Sequence, residues 1–196
     1  MDTVLDILQA AGIGAAVGIR PFLPALLVGA LAAGDLGVDF EHTDFAFLEK
    51  PAFLLVMLVG VVAFDLVRRR AGDDRLEAGS GLYLVGAIAL IVAALEGAGS
   101  LADRDHPVVA GVIAAVVCAA LAIAALPPLF TRVRLRLDAS AAGLLPLYRE
   151  GLALAVAGLS VLFPPLALIV VAGLVFLLSG GRRREGEKYA GLRILR

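Results

Sequence analysis

Arg20 is the residue most able to do chemistry. It stands in Gly18-Ile19-Arg20-Pro21-Phe22-Leu23-Pro24, deep in an apolar stretch that runs from Val4 to Ala33. A guanidinium in hydrocarbon costs at least ~2.5 kcal/mol on insertion scales and needs a partner or a water-filled cavity. Pro21 and Pro24 each withhold an N–H, which frees backbone carbonyls from the helix ladder. Such carbonyls are tolerated in a bilayer only where protein or a cavity lines them. A broken helix with a cation at the break is a geometry that can hold an anionic group. The competing expectation is an internal ion pair that fixes helix packing.

Arg149 and Glu150 form the second candidate, between Pro146 and Gly151. Adjacent helical residues point in different directions, so the two do not pair with each other. Glu150 is the expected partner of Arg20, while Arg149 is free to snorkel toward a membrane surface. The candidate substrate-binding set is therefore Arg20, Pro21, Pro24, Arg149 and Glu150. Asp65 precedes Arg68-Arg69-Arg70, which favours a surface role. Glu96, in Leu95-Glu96-Gly97-Ala98-Gly99, reads as an interfacial acid with a proton-titrating role as the alternative. His42 and His106 lie in acidic loops with weak metal spacing. No serine-nucleophile elbow, zinc-protease motif, phosphate loop or dinucleotide fingerprint is present. No catalytic residues, metal or cofactor are expected, and the chain does not read as an enzyme.

The elements that must position these residues are apolar helices. Of 196 residues, 61% are hydrophobic and 18% charged, with a mean hydropathy of +0.96. A soluble domain is about half apolar. This composition excludes a soluble enzyme, a disordered chain and a nucleic-acid-binding domain. It points to an all-α, polytopic transmembrane bundle. The lone Cys118 permits no internal disulfide. Asp2 and Asp6, with no early base, do not resemble a signal peptide.

After the first stretch comes an acidic segment, Asp35 to Lys50, whose Phe40, Phe45 and Phe47 are placed to rest on a bilayer surface. Pro51 heads a second span that ends at Arg68. The third span is roughly Leu82 to Ala98. The fourth, Val108 to Leu126, is expected to stop at Pro127-Pro128, followed by an interfacial basic segment, Thr131 to Leu137. The last apolar region, Ala141 to Ser179, turns at Pro164-Pro165. Small residues, Gly14 with Gly18 and then Gly143, Gly151 and Gly158, are expected to bring the first and fifth spans together.

Positive residues favour the cytoplasmic side. Four lie in 68–75, three in 132–136 and six in the tail, 13 of the 17 Lys and Arg. The expected topology has about six passes, helices broken at 20–24 and 164–165, and both termini cytoplasmic. One transmembrane domain covers 1–181, and 182–196 form a basic cytoplasmic tail.

At Gly18-Ile19-Arg20-Pro21-Phe22-Leu23-Pro24-Ala25-Leu26-Leu27, then an acidic segment and a Pro51-headed span, the chain resembles the DUF4126 family of bacterial integral membrane proteins. The closing Lys188 to Arg196 is similar to tails in that family. The resemblance covers most of the chain and implies residence in the bacterial inner (plasma) membrane. It sets Glu150 at the glutamate that commonly opens the penultimate span. It brings no known activity. The functional expectation is a small transporter or channel-like protein for an anionic or amphiphilic substrate. The alternative is a non-transporting protein that binds lipid or a protein partner. Membrane lipids and a homo-oligomer are the expected partners; nucleic acid is not.

The charge asymmetry yields a direct test. A cysteine placed at Glu41 or Arg104 should react with an impermeant maleimide on intact cells, and one at Gly180 should not. External labelling of Gly180→Cys would remove the even crossing of the last apolar region and leave five spans.

Overall fold

The computed structural model describes residues 2–71, 79–102 and 107–190. The described residues are helical and contain no strand. The helices are α1 (Asp2–Ile19), α2 (Phe22–Ala32), α3 (Pro51–Ala71), α4 (Gly79–Ala102), α5 (Val108–Arg134), α6 (Ala139–Ala142), α7 (Leu145–Leu162) and α8 (Leu166–Ala190), with a 3-10 turn at Ala46–Leu48. Four helical stretches are long and apolar enough to cross a membrane: Pro51–Arg70, Gly81–Ala102, Val108–Arg134 and Ser140–Leu162. The protein is therefore built as a membrane-embedded helical bundle.

α1 is the central helix and packs against α4, α5, α7 and α8. Its residues from Gln9 to Arg20 are buried without interruption. Gly14 and Gly18 face α5, where a Cβ on either would run into the backbone of Ala115 or Ala119. On α4, Gly97 meets Ala115 and Gly111 of the same helix. Three helices thus meet at Ala115 with backbones nearly touching. Gly12, on another face of α1, abuts Ser160 of α7 and Ala167 of α8. The Gly14–Gly18 pair therefore serves the fourth apolar span, and α1 reaches the fifth through Gly12. Gly151 has open space around it, and Gly158 meets only Leu27 at van der Waals distance. The expected glycine seam along α7 is not used for close packing, because that side of the helix faces outward.

The first apolar stretch forms two helices, α1 and α2. Along α7, Arg149 touches Ile19, Glu150 approaches Arg20, Gly158 meets Leu27, and Ser160 meets Gly12. So α1 runs antiparallel to α7, α2 runs parallel to it, and the chain reverses at Arg20-Pro21. α2 then descends antiparallel to α3, with Phe22 beside Gly60 and Gly29 beside Leu48 and Leu54. Its 11 residues span only ~16 Å at 1.5 Å per residue, about half a bilayer core. The segment from Asp35 to Lys50 completes the descent. Its Phe40 and Leu48 are fully buried rather than laid on a surface, and only Phe47 is exposed, stacked edge-on against Phe53. Gln9 Nε2 donates to Gly37 O at 2.9 Å, which ties this segment to α1. Gly37 is left-handed (φ +79°), a conformation a side chain would strain.

The bundle consequently has an acidic end, with the 35–50 segment, and a basic end, with Arg68 and Arg132 to Arg136. The start of α1 lies toward the acidic end. α8 begins beside Gly12 and packs along α1 and α5.

Two further expectations are corrected. Pro127 and Pro128 do not stop α5, which runs on to Arg134. Thr131 Oγ1 donates to Pro127 O at 3.0 Å and Arg132 Nε to Pro128 O at 2.9 Å, so side chains occupy carbonyls along this stretch. The alternating basic segment is thus mostly the last helical turn. The helix also continues past residue 181 to Ala190, so no break marks the start of the tail; 191–196 lie outside the described residues. Pro164-Pro165 does turn the chain, between α7 and α8.

The packing at Ala115 sets an expected outcome. Gly14→Val should lower stability by about 1–3 kcal/mol through overpacking. Gly151→Ala should be neutral or slightly stabilising, since Ala is up to ~1 kcal/mol better than Gly in a helix. Thermal unfolding of both variants in detergent micelles checks the contrast.

Candidate functional site

The chain reversal creates the site. α1 ends at Ile19 because Pro21 cannot donate, and Arg20 N–H closes the last turn onto Ala16 O at 3.1 Å. The carbonyls that follow need other donors. Arg149, from the second turn of α7, gives its Nε to Ile19 O at 3.2 Å. A cation at a helix C-terminus also suits the negative end of the helix dipole. The Arg149 guanidinium, half-buried, stacks on Phe130 at 5.4 Å.

Arg20 is 6% exposed. Its Nη2 lies 3.9 Å from Glu150 Oε1, and its guanidinium stacks over the Phe64 ring at 4.9 Å. The expected Arg20–Glu150 pairing is present. The partners differ in environment, because the Glu150 side chain is 34% exposed against 7% for Arg20. The pair is a buried cation approached by a half-open carboxylate, with room beside it.

Arg20, Arg68 and Arg149 line a small cavity of about 30 Å³ under the break, room for a water or two. On the other side of Arg20 lies a groove of about 660 Å³ between α2, α3 and the start of α7. Arg20, Arg68 and Arg69 face it with Asp65 and Glu150, three guanidiniums against two carboxylates. Its walls are apolar: Phe22, Leu23, Val61, Val62, Phe64 and Leu147. Asp65 bonds both Arg68 and, at 2.6 Å, Arg69 Nε, which fixes these bases over the groove.

Of the expected site residues, Arg20, Pro21 and Glu150 line the groove, and Arg149 lines the adjoining small cavity. Pro24 lines neither of these cavities. It is buried in the first turn of α2, where a missing N–H carries no cost. Arg20 is at the basic end of the bundle, level with Phe64 and Pro127, and not at mid-depth. The middle of an apolar stretch becomes an end when the chain folds back there. Phe64, Arg68 and Arg69 escaped the sequence reading as site residues. The available signal was the helical spacing of Phe64 and Arg68, which puts an aromatic ring and a base on one face of α3.

Among the described residues, no group of three or more His, Cys, Asp or Glu side chains could hold a metal ion. His42 is exposed, and His106 lies outside the described residues. In comparison with known proteins, no family model, no curated protein and no solved structure matches this chain.

The unequal burial of the ion pair predicts unequal mutational costs. Arg20→Ala should destabilise by about 2–4 kcal/mol, through lost packing on Phe64 and the void left by a buried side chain. Glu150→Ala should cost under ~1 kcal/mol, because solvent in the groove replaces a half-exposed partner. A double-mutant cycle by chemical unfolding should return a coupling no greater than ~1 kcal/mol. A coupling of several kcal/mol would mean a dry, sealed pair.

Proposed function

We propose that the groove holds an anionic amphiphile, its headgroup on Arg20, Arg68 and Arg69 and its hydrocarbon against Val61, Val62 and Leu147. The observation that carries this reading is the joining of an arginine cluster, with Arg20 buried, Arg68 half-buried and Arg69 exposed, to an apolar wall in one cavity of about 660 Å³. Guanidiniums present a planar fork suited to phosphate and carboxylate oxygens. Asp65 and Glu150 reduce the positive charge without cancelling it, so an anion is bound rather than trapped. A lipid-like molecule suits the wall better than a small hydrophilic anion.

We further propose that the basic end faces the cytoplasm of a bacterial inner membrane, following the positive-inside bias. The start of α1 then faces outward. The resemblance to the DUF4126 family is part of this proposal and supplies location only. The protein acts as a small transporter or channel-like carrier of this amphiphile. The paired short helices meeting at the arginine support that choice, since broken helices at a ligand site permit the two halves to shift separately. The second reading is a non-transporting lipid-binding protein, supported by a groove whose α3 lining is confined to residues 61–69.

Titration calorimetry in nonionic micelles, with dodecyl phosphate as the probe, tests the binding step. Dodecyl phosphate should bind saturably, and dodecyltrimethylammonium should not. Arg68→Ala should weaken binding tenfold or more, the effect of losing one charge-assisted hydrogen bond of ~1.5–3 kcal/mol. Equal binding of the cationic amphiphile, or no change in the variant, would refute the site. Inward movement of labelled dodecyl phosphate in proteoliposomes separates carrier from simple binder.

A further inference from the structure

The Arg20 groove leaves buried ionisable groups unused, and among them Glu96 lies nearer the acidic end of the bundle. Glu96 is 0% exposed, and neither of its carboxyl oxygens has a hydrogen-bond partner among the described residues. It lies on α4 next to Gly97, at the junction where α1, α4 and α5 meet around Ala115. Gly14 marks the same junction on α1, so Glu96 is ~9 Å along that helix from Arg20. The two sites are distinct.

We propose that Glu96 is a proton-binding site, neutral at rest, which takes and releases its proton from the acidic end of the bundle beneath Phe40. An ionised carboxylate buried without partners costs far more than a neutral acid, so the group holds a proton instead of a charge. Among the described residues, the surroundings supply no compensating cation. Of the elements packed against α4, α1 contributes Asp6 and the Gln9 amide to the buried interior, α5 contributes Cys118, and α2 has no titratable residue. The 35–50 segment contributes Glu49, whose carboxylate accepts from Phe40 N–H at 3.2 Å. An intramembrane acid of this kind is functional by default.

The route follows from helical spacing. Gly99 and Ser100 stand three and four residues beyond Glu96, on the same face of α4 one turn nearer the acidic end. The Phe40 ring and Leu48 lie directly against Gly99. Both are fully buried, and both belong to the 35–50 segment. That segment is held by the Gln9–Gly37 and Phe40–Glu49 hydrogen bonds. Phe40 therefore plugs the shortest path from Glu96 to the acidic surface, and displacing the ring opens the path.

Infrared spectroscopy on protein in lipid vesicles tests both parts. A carboxylic acid C=O band, above the amide I band, should be present in the wild type and absent from Glu96→Gln. It should move to lower frequency in D2O as the proton exchanges. Phe40→Ala should speed that exchange at least tenfold, and Phe40→Leu, which keeps a smaller plug, should speed it less. Glu96→Gln should melt with the wild type, because a neutral amide replaces a neutral acid. Absence of the band, failure of Glu96→Gln to fold, or a band unshifted after hours in D2O would overturn the proton site. An exchange rate indifferent to both Phe40 substitutions would overturn the route.

Discussion

One missing N–H organises much of this protein. Pro21 cannot continue the ladder of α1, and the chain folds back there instead of bending through. The carbonyls left at that reversal and the cation beside them are both costly in an apolar medium. Arg149 answers the first cost through Ile19 O, and Glu150 with Phe64 answers the second. Two consecutive residues of α7 thereby act on α1 from one side. Adjacent residues point apart on a helix, which lets one reach the backbone and the other the guanidinium. The pair's value lies in that divergence.

The same reversal forces the packing elsewhere. α1 must be central because its partner α2 is too short to cover it, so α4, α5, α7 and α8 close around it. Close approach in lipid comes from small residues, and Gly12, Gly14 and Gly18 give α1 different faces for different neighbours. Shortness at α2 has a second consequence. The 35–50 segment has to enter the bundle to complete the descent, carrying Phe40 and Leu48 into the core. An acidic loop with a buried aromatic anchor is thus the price of a half-length helix.

Much of the helical architecture was legible in the sequence. The four long spans were bounded by Pro51, the arginine runs and the acidic loops, where hydropathy changes abruptly. The turn at Pro164-Pro165 was legible for the same reason. The Arg20–Glu150 approach followed from cost alone, since each needed a partner. What could not be read was direction. An Arg-Pro within thirty apolar residues is compatible with a kink or a reversal, and only contacts with α7 and α3 decide between them. Pro127-Pro128 shows the converse. The dipeptide reads as a stop, yet α5 continues to Arg134, and Thr131 and Arg132 bond back to the carbonyls of the two prolines. Nor does any local pattern say that Gly151 faces outward while Gly14 faces a backbone, because both look alike in a small-residue stripe.

Burial and polarity are distributed unevenly along α1, and this bears on function more than any motif. At its reversal the buried charge is approached by partners, with a groove beside it. In its other half the buried polar groups are Asp6 and Gln9, and Glu96 stands alongside on α4 without a hydrogen bond. A bundle selected only for stability would fill those positions with hydrocarbon, since replacing buried charge by well-packed apolar residues is often neutral or stabilising. Arg20 and Asp6 stand toward opposite ends of one central helix, α1, which packs against α4, α5, α7 and α8. A change of occupancy at either end therefore acts on the same packed element. Gly14, Gly18 and Gly97 leave that element no slack at Ala115, so a shift there displaces α1, α4 and α5 together.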